Sequence, residues 1–455
     1  MSNKELLFQA IKNQETSRPG WVPFVGVHGG KLIGKKASEY LQSGELIYNG
    51  IKKACELYSP DGIPVVFDLQ MEAEVLGCQL KWSDEVPPSV ITHPLETGEL
   101  ENLSEFSTTK GRFPEIKKAL DLLDQDCSLQ NIALFGLITG PFTLAMHLLG
   151  NNLFMEMFMN PDRVHKILSL CAEIGKKTSD FYIKNGCEII GIVDPMTSQI
   201  SPEHFDEFVT PYVNEIYDFI RNKNALSSMF VCGDATRNLD NLFKTHCDYV
   251  SIDENISMEM VKDLAQKNNK SFGGNLKLTS VLLFGNETES KLHTIDTIET
   301  GGKKGFILAP GCDLPYVCPE ENLVAVSEMV LDEYKYEIAK TTLTLEDNLS
   351  DVKVEILDYS NCDKIDIEVV TLDSRSCAPC QYMVEAANKA ADSFGEKVFV
   401  HEHKISTREG LAIMNKLGVM QVPSLLIDGK VVFSSIIPNQ KDLKAKYQEK
   451  LDSKK

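Results

Sequence analysis

Two pairs of cysteines, among twelve in this 455-residue chain, are placed where thiols do chemistry. Cys377-Ala378-Pro379-Cys380 follows an apolar run, Ile365–Leu372, and opens a helical pattern that continues through Ala391. A thiol at a helix N-terminus faces unpaired N–H groups and the positive end of the helix dipole, and both favour the thiolate. Cys232 and Cys312 each close a β-branched run. Thiolates at two strand ends of one enclosure suit zinc, which favours tetrahedral sulfur and nitrogen ligands and keeps one position open when it is catalytic. A thiol substrate entering that position is deprotonated at neutral pH. Cys55, Cys78, Cys127, Cys171, Cys187 and Cys247 are expected to be buried, inert thiols.

The elements that position these groups follow from hydrophobic periodicity. Eight short β-branched runs are predicted as strands: Val22–Val27, Ile63–Phe67, Ala133–Ile138, Ile189–Val193, Ser227–Cys232, Tyr249–Ile252, Ser271–Gly274 and Gly305–Ala309. Helical stretches lie between them, including Asp162–Asn185, Pro202–Arg221, Met258–Gln266 and Pro319–Tyr336. Ser201-Pro202-Glu203-His204 supplies an N-cap, a proline at the first helical position and acidic charge in the first turn. Alternating strands and helices imply right-handed βαβ units and a parallel sheet, and eight repeats imply a closed (β/α)8 TIM barrel. Gly77–Thr109 reads as an insertion.

In order, the predicted strands end on His28, Asp68, Thr139-Gly140, Asp194, Cys232-Gly233, Asp253-Glu254, Asn275 and Pro310-Gly311-Cys312. A barrel of this kind builds its active site at the carboxyl ends of its strands, so this regularity marks an enzyme. The plainer alternative is that strand ends are polar wherever they meet loops.

Three segments are expected: the barrel over 1–340, a polar connector over 341–363, and a small α/β domain over 364–455. The last contains Ile365–Leu372, the Cys-x-x-Cys helix, strand Val398–His401, helix Thr407–Leu417 and a strand pair turning at Asp428-Gly429. The Cys-x-x-Cys opening a helix, together with Val422-Pro423 in the place of a cis-proline, resembles a thioredoxin-like domain. That resemblance makes Cys377 the nucleophilic thiol and Cys380 the resolving one. The pair departs from the usual Cys-Gly-Pro-Cys, and Ser376 stands where a tryptophan is common.

The barrel, over about residues 5–335, resembles the uroporphyrinogen decarboxylase superfamily. The stretches that carry this are Arg18-Pro19, Thr139-Gly140-Pro141-Phe142-Thr143, Ser201-Pro202-Glu203-His204-Phe205, Val231-Cys232-Gly233-Asp234, Gly274-Asn275-Leu276 and Pro310-Gly311-Cys312-Asp313-Leu314-Pro315. The cysteines point to its cobamide-dependent branch, the methylcobamide:coenzyme M methyltransferases. Members of that branch bind zinc through a His-x-Cys after strand five and a second Cys after strand eight. Cys232 and Cys312 match the two cysteines; the histidine falls on Phe230, which cannot ligate. A third zinc ligand is then sought at the same mouth, with His28 and Glu254 ahead of Cys318. Gly140, Asp194 and Asn275 are the positions expected to meet the corrinoid. The resemblance implies methyl transfer between a corrinoid (cobalamin) and a small thiol or other small molecule. The corrinoid would arrive on a partner protein, because the chain has no Asp-x-His-x-x-Gly motif.

Two other readings stay open. One is a metal-free barrel serving as a redox or binding partner through Cys377 and Cys380. The other is uroporphyrinogen decarboxylation, disfavoured because a substrate with many carboxylates needs arginines and the chain has seven. The formal charge of −20 argues against nucleic acid as a partner. From Lys364 onward there are 14 basic and 12 acidic residues, a net of +2, so the first 363 carry −22. No long apolar run suggests a membrane span, and the N-terminus lacks a signal peptide's apolar core, so a cytoplasmic location is expected.

Overall fold

A computed structural model describes residues 2–344, 354–359, 364–375 and 377–454, except the Asn102 side chain. The chain divides into two compact units that part at Glu346/Asp347. Most of the expected connector 341–363, and Ser376, lie outside the described residues.

The N-terminal unit contains eight parallel strands: β1 (Gly20–Trp21), β2 (Gly62–Pro64), β3 (Ala133–Thr139), β4 (Ile189–Val193), β5 (Leu226–Val231), β6 (Tyr249–Ile252), β7 (Ser271–Leu276) and β8 (Phe306–Pro310). Their order is β1-β8-β7-β6-β5-β4-β3-β2, with helices between successive strands, the order of a TIM-like barrel. Between β1 and β2 the ladder is replaced by one residue. The Asp61 N–H donates to Trp21 O at 2.9 Å, and the Trp21 N–H donates to Asp61 Oδ2 at 2.8 Å. Arg18 grips the same carboxylate with both terminal nitrogens, at 2.6 and 2.8 Å. The barrel interior is packed with Val22, Phe24, Phe67, Phe135, Leu137, Val193, Phe230, Tyr249 and Ile307.

The first strand lies ahead of its predicted run Val22–Val27, none of which is strand, and the second keeps only Ile63 and Pro64 of Ile63–Phe67. Pro23 and Pro64 have no N–H to give to a ladder. Val22 therefore makes the last β1-type bond, to Leu308 O, and the chain turns at Pro23, whose carbonyl accepts from the Val25 N–H. His28 accordingly opens a short helix, His28–Leu32, instead of ending a strand. The predicted helix Pro202–Arg221 is two helices, Pro202–Phe208 and Thr210–Asn222, because Pro211 cannot donate back into the preceding turn. Pro319–Tyr336 likewise divides at Asp332, whose side chain caps the second helix by accepting from the Lys335 N–H. The expected cap at Ser201 is present, accepting from the His204 N–H at 3.3 Å. Within 77–109, Leu80–Lys81 pairs antiparallel with Ser89–Val90. Of the six cysteines expected to be buried, Cys127 is exposed, since it starts a surface turn capped by Asp126.

The C-terminal unit has a four-stranded sheet, β9 (Ile365–Thr371), β10 (Val398–Lys404), β11 (Ser424–Ile427) and β12 (Lys430–Ser434), in the order β10-β9-β11-β12. β9 and β10 are parallel and the other pairs antiparallel. The turn at Asp428 and Gly429 places both at positive φ, 46° and 71°, as a two-residue hairpin with right-handed strands requires. The helix Ala378–Ala391 packs Met383, Ala386, Ala387 and Ala390 onto the sheet. Among the described residues no helix is long and apolar enough to cross a membrane.

Candidate functional site

Cys232 follows β5 and Cys312 follows β8, and their sulfurs lie 2.8 Å apart. The two residues are 80 positions apart in sequence, so the barrel alone brings them together. Both are half-buried, and both pack against the apolar barrel interior. Two carboxylates fix the turns that present them. Asp253, just after β6, accepts from the Gly233 N–H at 2.8 Å through Oδ2. Asp313, next to Cys312, accepts from the Gly26 N–H at 2.8 Å, and a Cβ on Gly26 would lie 2.4 Å from that carboxylate. Contact with Cys312, then burial, pushes the Cys232 thiol well above its ordinary pKa. Burial also raises the Asp253 and Asp313 carboxyls. The Cys232 thiol is thereby held in its neutral form in a partly desolvated mouth.

Phe230, where a His-x-Cys would need its histidine, is part of an aromatic trio beneath the sulfurs. It stacks on Phe24 at 5.1 Å and meets Phe67 edge-on at 5.9 Å. His28 does not substitute for it. Its Nδ1 lies 3.2 Å from Tyr316 O and its Nε2 lies 2.8 Å from the Tyr58 hydroxyl. A carbonyl only accepts, so Nδ1 carries the proton and Nε2 accepts from Tyr58. No lone pair is left for a metal. Burial lowers the His28 pKa to about 4, which keeps the ring neutral. Glu254 stands beside the Cys312 turn, its backbone and Cβ against Gly311, but its Oε2 accepts from the Leu278 N–H. Burial, then the Asp253 charge, pushes its carboxyl up to about 8. Cys318 is buried and donates to Leu282 O at 3.2 Å. Among the described residues no three His, Cys, Asp or Glu side chains converge as a metal-holding group. Two thiolates on one tetrahedral zinc would stand about 3.8 Å apart, given Zn–S bonds of about 2.3 Å. The residues as placed do not fit a zinc site with three protein ligands.

Gly140, Asp194 and Asn275 are all at strand ends, and their contacts show what they hold. Asp194 caps the helix Pro141–Leu149 from outside: its Oδ1 accepts from the Thr143 N–H at 2.8 Å and the Thr143 hydroxyl at 2.6 Å, and Oδ2 from the Phe142 N–H at 3.2 Å. Gly140 occupies the N-cap position without a side chain, and a Cβ there would lie 2.3 Å from Asp194 Cβ and Cγ. Asn275 donates through Nδ2 to Asp253 O and Ile256 O, at 3.1 and 2.8 Å. Burial raises the Asp194 carboxyl to about 6.

Glu72, in the short helix after β2, was not singled out by sequence, and no motif marks it. Burial lifts its carboxyl to about 7. The geometry agrees with a protonated group. The Thr139 hydroxyl oxygen, which carries one hydrogen, lies 2.8 Å from both Leu69 O and Glu72 Oε2. If Thr139 donates to the carbonyl, Glu72 must be the donor of the second bond.

In the C-terminal unit Cys377 is the N-cap residue of Ala378–Ala391, and its sulfur accepts from the Cys380 N–H at 3.4 Å. The two cysteines are disulfide-bonded. Cys377 is half-buried and Cys380 is fully buried. Val422–Pro423 is a cis peptide.

Residues 2–332 match the family model for uroporphyrinogen decarboxylase (URO-D). The chain belongs to the uroporphyrinogen decarboxylase family. Residues 365–448 match the thioredoxin domain model, so the URO-D barrel is followed by a C-terminal thioredoxin domain. Methylcobamide:CoM methyltransferase MtbA of Methanosarcina acetivorans is 26% identical over 340 residues, 73% of this chain and 98% of that protein. The corresponding protein of Methanosarcina mazei is 28% identical over 345 residues, with the same coverage. Uroporphyrinogen decarboxylase of Prochlorococcus marinus (strain AS9601) is 24% identical over 294 residues, 62% of this chain and 83% of that protein. Among solved structures, a methyltransferase from Methanosarcina mazei superposes with a TM-score of 0.66 at 21% identity, covering 72% of this chain and 97% of that one. That likeness establishes the fold.

Within the URO-D barrel the arginines are largely committed. Arg18 is held by Asp61, Arg112 by Asp68 and Glu74, Arg163 by Glu156 and two carbonyls, and Arg221 by Asp218 and His246 O. Arg237 is exposed on the loop after β5.

Proposed function

We propose that this URO-D family chain is a corrinoid-dependent methyltransferase, moving a methyl group between a corrinoid on a partner protein and a small thiol or other small molecule. The supporting observation is the half-buried thiol pair Cys232/Cys312 at the carboxyl end of the barrel, in a chain similar to two methylcobamide:CoM methyltransferases over 98% of their length. The reacting molecule would lie against these two sulfurs, with Gly140, Asp194 and Asn275 setting the loops the corrinoid approaches. When bound, the corrinoid would supply the methyl group and keep the electron pair of the broken bond, and an acceptor thiol held against Cys232 and Cys312 would release its proton to solvent as its sulfur takes that group. Decarboxylation of a tetrapyrrole polyacid fits less well, because four of the barrel's arginines are already bound within the protein.

Reduced protein mixed with methylcobalamin and small thiols should bleach the methyl–cobalt absorbance. Cys232→Ser should slow the reaction about a hundredfold, the cost of misplacing a reacting molecule by about 1 Å. Absence of turnover with free and protein-bound corrinoid, across thiols and methyl donors, would overturn this function.

A further inference from the structure

We propose that Cys232 and Cys312 form a reversible disulfide, and that this bond is a substrate of the chain's own Cys377/Cys380 dithiol. Three observations carry it. The Cys232 and Cys312 sulfurs are 2.8 Å apart, nearer than the about 3.8 Å that two thiolates keep on a shared zinc. Both residues are half-buried, whereas Cys55, Cys78, Cys171, Cys187, Cys247 and Cys318 are sealed in the interior. Bond formation therefore needs only a small approach of two sulfurs, on turns already fixed by Asp253 and Asp313, and leaves them open to attack. The same polypeptide carries a dithiol element built for exchange: the accessible Cys377 caps a helix N-terminus and the buried Cys380 waits behind it.

The chemistry balances as thiol–disulfide exchange. A peroxide or a small disulfide takes two electrons and two protons from Cys232 and Cys312, giving water or two small thiols and the barrel disulfide. Cys377 thiolate attacks one sulfur of that bond; the other barrel sulfur leaves as thiolate and takes up a proton. Cys380 thiolate then attacks Cys377, the mixed disulfide breaks, and the second barrel thiol is released. Two electrons and two protons have moved to the barrel, and the tail holds the Cys377–Cys380 disulfide. An external dithiol reductant resets the tail. The consequence for catalysis, that oxidation switches the thiol pair off, rests on the proposed methyl transfer; the exchange itself does not.

The test uses full-length protein, fully reduced, desalted, treated with one equivalent of diamide, and mapped by differential alkylation and peptide mass spectrometry. In the parent, the disulfide should collect at Cys377–Cys380 and Cys232 and Cys312 should remain alkylatable. In Cys377→Ser/Cys380→Ser, the same treatment should give a crosslinked peptide joining Cys232 and Cys312. Cys380→Ser should trap a mixed disulfide between Cys377 and Cys232 or Cys312. Failure of the double variant to form the Cys232–Cys312 bond overturns the proposal, and so does absence of the mixed disulfide. Methyl transfer is measured separately on reduced protein, so its failure and the failure of the exchange are told apart.

Discussion

At the residue scale, Cys232 and Cys312 were legible because each closes a β-branched run, and a barrel gathers its strand ends at one mouth. That no third zinc ligand joins them among the described residues was not legible. Whether a histidine has a free nitrogen depends on distant residues, here Tyr58 and Tyr316, which only the fold brings to His28. Restoring the missing ligand type tests the zinc reading directly. Wild-type protein dialysed at pH 7 should retain well under one zinc per chain by elemental analysis. Phe230→His should retain more, since it completes His-x-Cys with Cys312 at the same mouth. One full equivalent in the wild type, lost in Cys232→Ser, would show that the mouth rearranges to supply a ligand.

Glu72 provides a second residue-scale test. Its carboxyl titrates at about 7 when folded, against an ordinary 4.5. Below about 4.5 both folded and unfolded chains hold the proton, and the group is neutral in the balance. Between about 4.5 and 7 the folded state keeps a proton the unfolded state has released, so stability falls as pH rises. Above 7 the loss is complete, about 3 kcal/mol for this group. Glu254 and Asp194 act in the same direction. Urea unfolding at pH 5 and at pH 8 should show the barrel weaker at pH 8, and Glu72→Gln should narrow that difference. An unchanged difference in the variant would mean that Glu72 is ionised throughout.

At the element scale, strand existence and order followed from periodicity, while strand ends and helix breaks followed from proline. β4 and β6 coincide with their predicted runs, having no proline within them. β1 ends at Trp21, ahead of its predicted run, which Pro23 keeps out of the ladder; β2 stops at Pro64, and the long helix predicted over 202–221 breaks ahead of Pro211. Closure of the barrel through Asp61 and Arg18 could not be read from sequence, because it replaces a ladder with a side chain. The junction of β3 with helix Pro141–Leu149 has a similar hidden requirement. Gly140 has an ordinary φ of −63°, so glycine is needed there for space and not for conformation. Gly140→Ala forces a methyl group into the Asp194 side chain and should cost about 1–3 kcal/mol, the usual range for overpacking a closed site. The urea midpoint of the barrel transition measures it; an unshifted midpoint would mean that the cap moves aside freely.

At the scale of the whole molecule, the division into a barrel and a thioredoxin domain was visible as a restart of the strand–helix pattern at Ile365 and a change of charge balance. Each unit has its own apolar interior: Val22, Phe135, Phe230 and Ile307 in the first, Ile367, Met383, Leu425 and Tyr447 in the second. Separate cores imply separate cooperative transitions. The Cys377–Cys380 crosslink closes a loop within the smaller core, and a loop that short lowers unfolded-state entropy by about 2 kcal/mol at room temperature. For a domain of this size that corresponds to roughly 10 °C in the midpoint. Calorimetry of the protein with its tail oxidised should therefore resolve two transitions. Cys377→Ser/Cys380→Ser should lower the smaller one by roughly that amount and leave the larger in place. A single transition that shifts as a whole in the variant would mean that the two cores unfold as one, and that the tail's redox state is felt by the barrel through stability as well as through exchange.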